Sequence, residues 1–212
     1  MRVRSPKVPT HKPHTAHQVR IIGGQWKRTL LPVIDAEGLR PTPDRVRETL
    51  FNWLQHLLGG AWSELDCLDL FAGSGALGFE AASRGARRVL MVEESAAALR
   101  HLQASRTKLK AEQVEIRRGD ALALVRNLAD AGSRFKLIFL DPPYHQDWLE
   151  RMLPVCECLL DEHGYVYAEC ELPLDREPRP AWLNGWEVVR SDKAGMVFYH
   201  LLQRKTEPRF EA

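Results

Sequence analysis

Asp69-Leu70-Phe71-Ala72-Gly73-Ser74-Gly75-Ala76-Leu77-Gly78 follows directly on the apolar pair Cys67-Leu68 and runs into Phe79 and two alanines. The pattern predicts a strand over Cys67–Phe71, a glycine turn, and a helix over Leu77–Ser83. The glycines permit a tight turn and let a ligand approach the backbone closely. The start of the helix offers N–H groups that have no partner within it. In open sheets built from such units, ligands bind beyond the carboxyl ends of the strands, where the strand order reverses. Phe71, Ala72, Gly73, Ser74 and Gly75 are therefore candidate ligand contacts.

The units on either side repeat the alternation. Further strand candidates are Arg88–Val92, Val114–Arg117, Leu137–Leu140, Gly164–Cys170, Glu187–Ser191 and Met196–Leu202. Helices are expected at Ala96–Leu109, Ala121–Ala129 and Trp148–Leu160. Apolar strands alternating with amphipathic helices predict a parallel sheet covered on both faces. The last two strands meet at a short turn around Asp192–Gly195 and should form an antiparallel hairpin. The expected fold class is α/β: a seven-stranded, mostly parallel sheet with an antiparallel last strand. That is the arrangement of Rossmann-like class I methyltransferases.

Upstream, Val19-Arg20-Ile21-Ile22 and Thr29-Leu30-Leu31 flank Gly23-Gly24 and predict a small β-hairpin extension over residues 18–44. Gly38 to Pro43 is a loop. Thr42 or Asp44 is expected to cap the following helix, with Pro43 in its first turn. That helix, Arg45–Leu58, should bury Val46, Leu50, Phe51, Leu54 and Leu57 and stop at Gly59-Gly60. The main domain is placed at 45–206. Residues 1–17 are polar, hold three prolines and lack periodicity, so they are expected to be a disordered basic tail. His11, His14 and His17 recur in it without a nearby carboxylate or Cys, and no metal site is assigned to them.

Composition narrows the setting. The chain has 212 residues, 44% of them hydrophobic, enough for one core of useful size. No apolar run reaches the ~18 residues of a membrane helix. The polar N-terminus has no apolar stretch of the kind a secretory signal requires, so a cytoplasmic protein is expected. No Cys pair has C-x-x-C spacing, and Cys67, Cys156, Cys158 and Cys170 are read as small buried hydrophobes. Residues 1–47 hold 10 Lys and Arg against 3 Asp and Glu, a net +7; the remainder holds 20 against 25, a net −5. A basic end on an acidic body suggests a polyanion partner bound at that end.

The glycine loop alone does not choose its ligand, because Gly73-x-Gly75-x-x-Gly78 also fits a dinucleotide fingerprint. In either case Glu93, at the end of the second strand, can accept both ribose hydroxyls. Two features favour S-adenosyl-L-methionine. Asp69 stands four residues before the glycines, as in the D-x-F-A-G-x-G of methyltransferases, where it helps hold the methionine end. Gly119-Asp120-Ala121 closes the third strand, where methyltransferases place an acid on the adenine amino group. Asp120 is equally suited to cap the helix that starts at Ala121.

Asp141-Pro142-Pro143-Tyr144 ends the fourth strand. Successive prolines stop both strand and helix, so the segment is a stiff turn. Its chemistry fits a base amine. An exocyclic amine is a poor nucleophile because its lone pair is conjugated with the ring. Accepting hydrogen bonds from both N–H groups favours a more pyramidal nitrogen. Asp141 can accept one and the rigid Pro142 carbonyl, backed by Pro143, the other. Tyr144 can stack on the base. Transfer from a sulfonium needs no metal. A nicotinamide-dependent oxidoreductase would leave this loop unexplained, and a non-catalytic assembly factor would not need it.

From Val19 to Arg204 the chain resembles the RsmD family, bacterial enzymes that methylate guanine N2 in 16S ribosomal RNA. The matching segments are Arg20-Ile21-Ile22-Gly23-Gly24-Gln25-Trp26, Leu39-Arg40-Pro41-Thr42, Asp44 to Trp53, Leu68 to Ala81, Asp141 to Tyr144 and Lys193-Ala194-Gly195. The resemblance implies S-adenosyl-L-methionine as cofactor and, as partner, 16S rRNA in an assembled or assembling small subunit; a monomer is the default. Arg20, Trp26, Lys27, Arg28, Arg40 and Arg45 are the candidate RNA contacts, with Arg47 in the same cluster. A target base must leave its stack to reach Tyr144. The chain departs from the family at Lys27-Arg28-Thr29, where Arg-Gly-Arg is frequent, and at Ser95, where an acid is common. The nearest rival, a DNA or RNA adenine-N6 methyltransferase, shares the loop. The DNA enzymes usually carry a recognition insert, for which this chain has no room.

Overall fold

The computed structural model describes residues 18–33, 42–144 and 146–205. The basic tail, the loop that includes Arg40, and residues 206–212 lie outside the described residues. Two antiparallel strands come first, β1 (Gln18–Arg20) and β2 (Leu30–Pro32), and then helix α1 (Asp44–Leu57). The alternating part follows as β3 (Asp66–Asp69), α2 (Ala76–Ser83), β4 (Arg88–Glu93), α3 (Ala96–Leu109), β5 (Val114–Arg118), α4 (Ala121–Asp130), β6 (Phe135–Leu140), α5 (Trp148–Leu159) and β7 (Leu160–Cys170). The hairpin β8 (Trp186–Ala194) and β9 (Val197–Arg204) closes the chain.

The seven-stranded sheet has the order β5-β4-β3-β6-β7-β9-β8. Strands β3 to β7 pair in parallel, and β9 runs antiparallel to both neighbours. The order reverses between β3 and β6, so the loops after β3, β4 and β6 open onto one crevice. Successive side chains on each strand face opposite sides. Leu137 and Phe139 join the core under α1, α2 and α3, while Ile138 and Leu140 join the core under α4 and α5. Phe51 of α1 meets Phe139 at 6.1 Å between ring centroids, and Trp53 stacks on Tyr199 of β9 at 5.5 Å. These contacts lay α1 across the sheet and bring its first turn towards the crevice.

Several local expectations change. Pro43 occupies the N-cap of α1 without a side-chain cap bond, so neither Thr42 nor Asp44 caps the helix. Asp44 is engaged by Arg20 at 3.1 Å and Arg47 at 2.7 Å. Leu57 is only half-buried, whereas Arg47 is fully buried and donates to the Arg20 carbonyl. Burial lowers the pKa of the Arg47 guanidinium, with Asp44 opposing the shift. Cys158 is exposed although the other three cysteines are buried. Two positions along a helix, Cys156 and Cys158 point about 200° apart, so only one can face the core. β7 starts at Leu160 rather than Gly164, because Leu160 pairs with Phe135 across an irregularity in the ladder. β8 extends to Ala194, which moves the turn to Gly195-Met196.

The N-terminal segment is held to α2 by one buried carboxylate. Glu80 accepts from the amides of Ile22 at 2.6 Å and Gly23 at 2.8 Å, and from Arg84 Nε at 2.8 Å. Ser83 Oγ adds a bond to the Gly23 carbonyl and accepts from the Trp26 amide. Gly24, at φ 72°, lies so close to the end of α2 that a Cβ there would fall 1.9 Å from the Ser83 carbonyl oxygen. Arg28, where the family frequently has glycine, sits at φ 72°. It thus carries a left-handed backbone at a cost of about 1 kcal/mol. Removing a partner from a buried ionic cluster strands the others. Glu80→Ala should therefore destabilise the protein by about 3 kcal/mol, measured by urea unfolding, with faster hydrogen exchange at the Ile22 and Gly23 amides.

Candidate active site

The loop between β3 and α2 rests on a buried acid. Asp69 is 1% exposed, and its Oδ2 accepts from the Gly78 amide at 3.0 Å. Burial pushes its carboxyl up to about 7 against the opposing pull of that amide. Above the acid, the Ala72 amide donates to the Val92 carbonyl at 3.0 Å and the Gly75 amide to the Ala72 carbonyl at 2.6 Å. Gly73 has φ 52°, and a Cβ on it would meet nothing nearer than 3.9 Å. The turn therefore leaves open space beside its backbone. Phe71 packs edge-on against Trp148 of α5 at 5.1 Å, which fixes one side of the loop.

Glu93 stands opposite the turn at the end of β4. Its Oε2 accepts from the Gly73 amide at 2.8 Å and its Oε1 from the Ser95 amide at 2.8 Å. Two backbone donors thus hold the carboxylate in place, and each oxygen keeps acceptor capacity for a diol. Ser95, the position that departs from the family, caps α3 by accepting from the Ala98 amide. Asp120 caps α4, with Oδ1 accepting from the Ala123 amide at 2.7 Å. The cap uses one oxygen and leaves the other. A glycine turn with free space, a fixed carboxylate on the next strand and a second acid on the one after fit the adenosyl and methionine parts of S-adenosyl-L-methionine. Glu94 is exposed.

Asp141 ends β6 on the other side of β3. It is half-buried, followed by buried Pro142, exposed Pro143 and half-buried Tyr144. Thr42 Oγ1 lies 3.0 Å from Asp141 Oδ2 and 3.0 Å from Glu169 Oε1. Tyr167 donates its hydroxyl to Glu169 Oε1 at 2.7 Å. Thr42 and Glu169 are buried, and desolvation raises both carboxyl groups above the ordinary carboxylate range, each opposed by the Thr42 hydroxyl. The charge on Asp141 raises Glu169 further. The Tyr144 phenol is pushed above its usual value, first by burial and then by Glu169 and Asp141. The loop, Thr42 just ahead of α1 and the end of β7 therefore form one polar cluster.

Thr42, Tyr167 and Glu169 were not foreseen. Thr42 was read as a helix cap. Glu169 had one visible signal: an acid inside Tyr165-Val166-Tyr167-Ala168-Glu169-Cys170, an otherwise apolar and aromatic strand, at the carboxyl end where ligands bind. The basic candidates divide. Arg20, Lys27, Arg28 and Arg45 are exposed, Arg20 within its ion pair to Asp44. Trp26 is half-buried and packs against the core, so it anchors the hairpin. Arg47 leaves the RNA cluster, since its guanidinium is buried beneath the segment it was expected to decorate.

A family model described as "Conserved hypothetical protein 95" matches residues 19–203. The chain is 40% identical over 209 residues to ribosomal RNA small subunit methyltransferase D of Escherichia coli (strain K12), covering 97% of this chain and 99% of that one. It is 36% identical over 195 residues to the protein of the same name from Haemophilus influenzae, covering 90% and 96%. Among solved structures it is similar to a putative methyltransferase, yhhF, from Escherichia coli, at 39% identity with a TM-score of 0.75, covering 90% of this chain and 100% of that one.

Glu93→Ala removes the acceptor opposite Gly73 and frees two amides. It should weaken S-adenosyl-L-methionine binding ~10–100-fold, the range for losing hydrogen bonds to a charged group. Titration calorimetry would read this, and unchanged affinity would take Glu93 out of the cofactor site.

Proposed function

The chain belongs to this family, the RsmD methyltransferases, and we propose that it methylates the exocyclic N2 amino group of one guanine in 16S ribosomal RNA. The substrate is RNA in an assembled or assembling small subunit, and the enzyme acts in the cytoplasm as a monomer. Its methyl donor is S-adenosyl-L-methionine. The observation that carries the reading is the placement of Asp141-Pro142-Pro143-Tyr144, after β6, beside the Gly73 turn after its neighbour β3, on one crevice. The names of the relatives supply the RNA. No helix among the described residues is long and apolar enough to cross a membrane.

The bound cofactor supplies a methyl group on a positively charged sulfur. The protein's part is to hold the amine in line and to receive its proton. Thr42 occupies Asp141 Oδ2, which leaves Oδ1 to accept one amine N–H, and the Pro142 carbonyl accepts the other. Tyr144 stacks on the base. On methylation the amine must lose a proton, and Asp141 would take it. Proton acceptance by a positioned group contributes about 10²–10⁴ in rate, and positioning at attack distance contributes further. Arg20, Lys27, Arg28 and Arg40 of the 18–44 extension, with Arg45 in the first turn of α1, contact RNA phosphates.

Three outcomes are expected. Small subunits from cells lacking the protein should accept one methyl, which mass spectrometry should place on guanine N2; label on adenine or on DNA would move the enzyme to the adenine-N6 class. Asp141→Ala should keep cofactor affinity but lose at least ~10²-fold in kcat. Neutralising Lys27, Arg28 and Arg45 together should raise KM for the ribosomal substrate and flatten its dependence on salt. An unchanged salt slope would return these three residues to a solvated face.

A further inference from the structure

Thr42 carries one hydroxyl proton, yet its Oγ1 lies 3.0 Å from a carboxyl oxygen of Asp141 and 3.0 Å from one of Glu169. Two ionised carboxylates cannot both be served by that proton. They would also repel across the hydroxyl in a buried setting, where like charges interact strongly. Among the described residues no cation pairs with Glu169. The described titratable groups around it are Asp141 just after β6, Tyr144 in the loop, Tyr167 and Cys170 on its own strand, Glu171 just after it, and Tyr199, its partner on β9, beside His200. None of these is positive at neutral pH, since burial pushes His200 down to about 4. A single proton on the pair resolves the conflict. Glu169, 3% exposed, is the more costly of the two to ionise, and Asp141 is closer to the open crevice.

We propose, building on the reading above, that Glu169 is a positioning residue for methyl transfer: as a neutral acid it donates to Thr42 Oγ1 and so commits the Thr42 hydroxyl to Asp141 Oδ2. The hydrogen bonds then run in one direction. Tyr167 donates to Glu169, Glu169 to Thr42, and Thr42 to Asp141. Asp141 stays ionised, with one oxygen held from behind and the other presented to the amine. If Glu169 loses its proton, Thr42 has two anionic acceptors, and Asp141 loses its fixed donor while gaining a charged neighbour. The pair titrates as a unit. Its first step ionises Asp141, so activity rises with pH there. Its second step ionises Glu169, so activity falls above it.

The test combines a titration with a pH profile. In carboxyl-carbon NMR of the whole protein, the Glu signal absent from Glu169→Gln should remain that of a neutral acid at pH 7 and ionise only at alkaline pH. A signal already ionised at pH 6 would overturn the proposal. In Glu169→Gln the amide donates to Thr42 at every pH, so most of the turnover should survive and the alkaline fall in kcat should disappear. Glu169→Ala and Thr42→Val should lose ~10–100-fold in kcat, as for a displaced reacting group, with cofactor affinity kept. Loss in Glu169→Gln equal to that in Glu169→Ala, or a persistent alkaline limb in the Gln variant, would overturn it. Wild-type enzyme that fails to methylate guanine N2 would instead overturn the functional reading, and the NMR titration would still decide the proton's place.

Discussion

β3 pairs in parallel on both sides, with Leu68 opposite Leu90 of β4 and opposite Ile138 of β6. The site follows from that double pairing. A strand with parallel neighbours on both sides is buried on both faces, so the chain must cross over above and below the sheet to reach them. The crossovers to β4 and to β6 leave in opposite directions, and a crevice opens where they part. The Gly73 turn, Glu93 and Asp141 lie at the carboxyl ends of β3, β4 and β6, although about seventy positions of sequence separate the first from the last. No single motif builds the site. Each strand delivers one chemical element, and the sheet fixes their spacing.

The basic N-terminus has two uses, and net charge alone does not separate them. Part of the charge is internal. Arg47 is buried against Asp44, which also pairs with Arg20. Glu80 buries its carboxylate beneath the amides of Ile22 and Gly23 and pairs with Arg84. These groups clamp the hairpin and α1 to the domain. Among the described residues the remaining charge, on Lys27, Arg28 and Arg45, is exposed. The clamp matters to the site as well, because α1 begins two residues after Thr42. Docking of the N-terminal segment and completion of the catalytic cluster are thus one packing event.

Most of the fold was legible because its signals are local. Apolar runs alternating with amphipathic helices marked β3 to β9, and α3 emerged with the expected limits. The motifs at Asp69, Gly73, Glu93, Asp120 and Asp141 were legible because each lies at a strand end, where the pattern changes. What failed was non-local. Thr42 has the composition of a helix cap, and only the packing of α1 through Phe51 and Trp53 turns its hydroxyl towards Asp141, ninety-nine residues away. Arg47 sits in a run of charged residues and reads as solvated until the Arg20 carbonyl and Asp44 are placed around it. Cys158 shares its helix with buried Cys156, and only the facing of α5 separates them.

Four acids gather at the carboxyl ends of the parallel strands, and their surroundings give them different work. Asp69 is buried beneath a turn and binds a backbone amide, so it shapes the loop. Glu93 is fixed by two amides at the edge of the crevice, so it presents acceptors. Asp141 is half-buried with one oxygen held by a hydroxyl, so it is left one oxygen for a substrate. Glu169 is buried with two hydroxyls and, among the described residues, no cation. An acid so placed is stabilised by keeping its proton. On the reading proposed above, the same residue type thus serves as brace, acceptor, base and donor. The difference lies in how many donors each carboxyl meets and how much water it keeps. In that division the Asp-Pro-Pro-Tyr loop is only the exposed end of a longer chain of hydrogen bonds. In the proposed mechanism the loop defines where the amine is received, and the buried residues behind it, Thr42 and Glu169, determine which oxygen receives it.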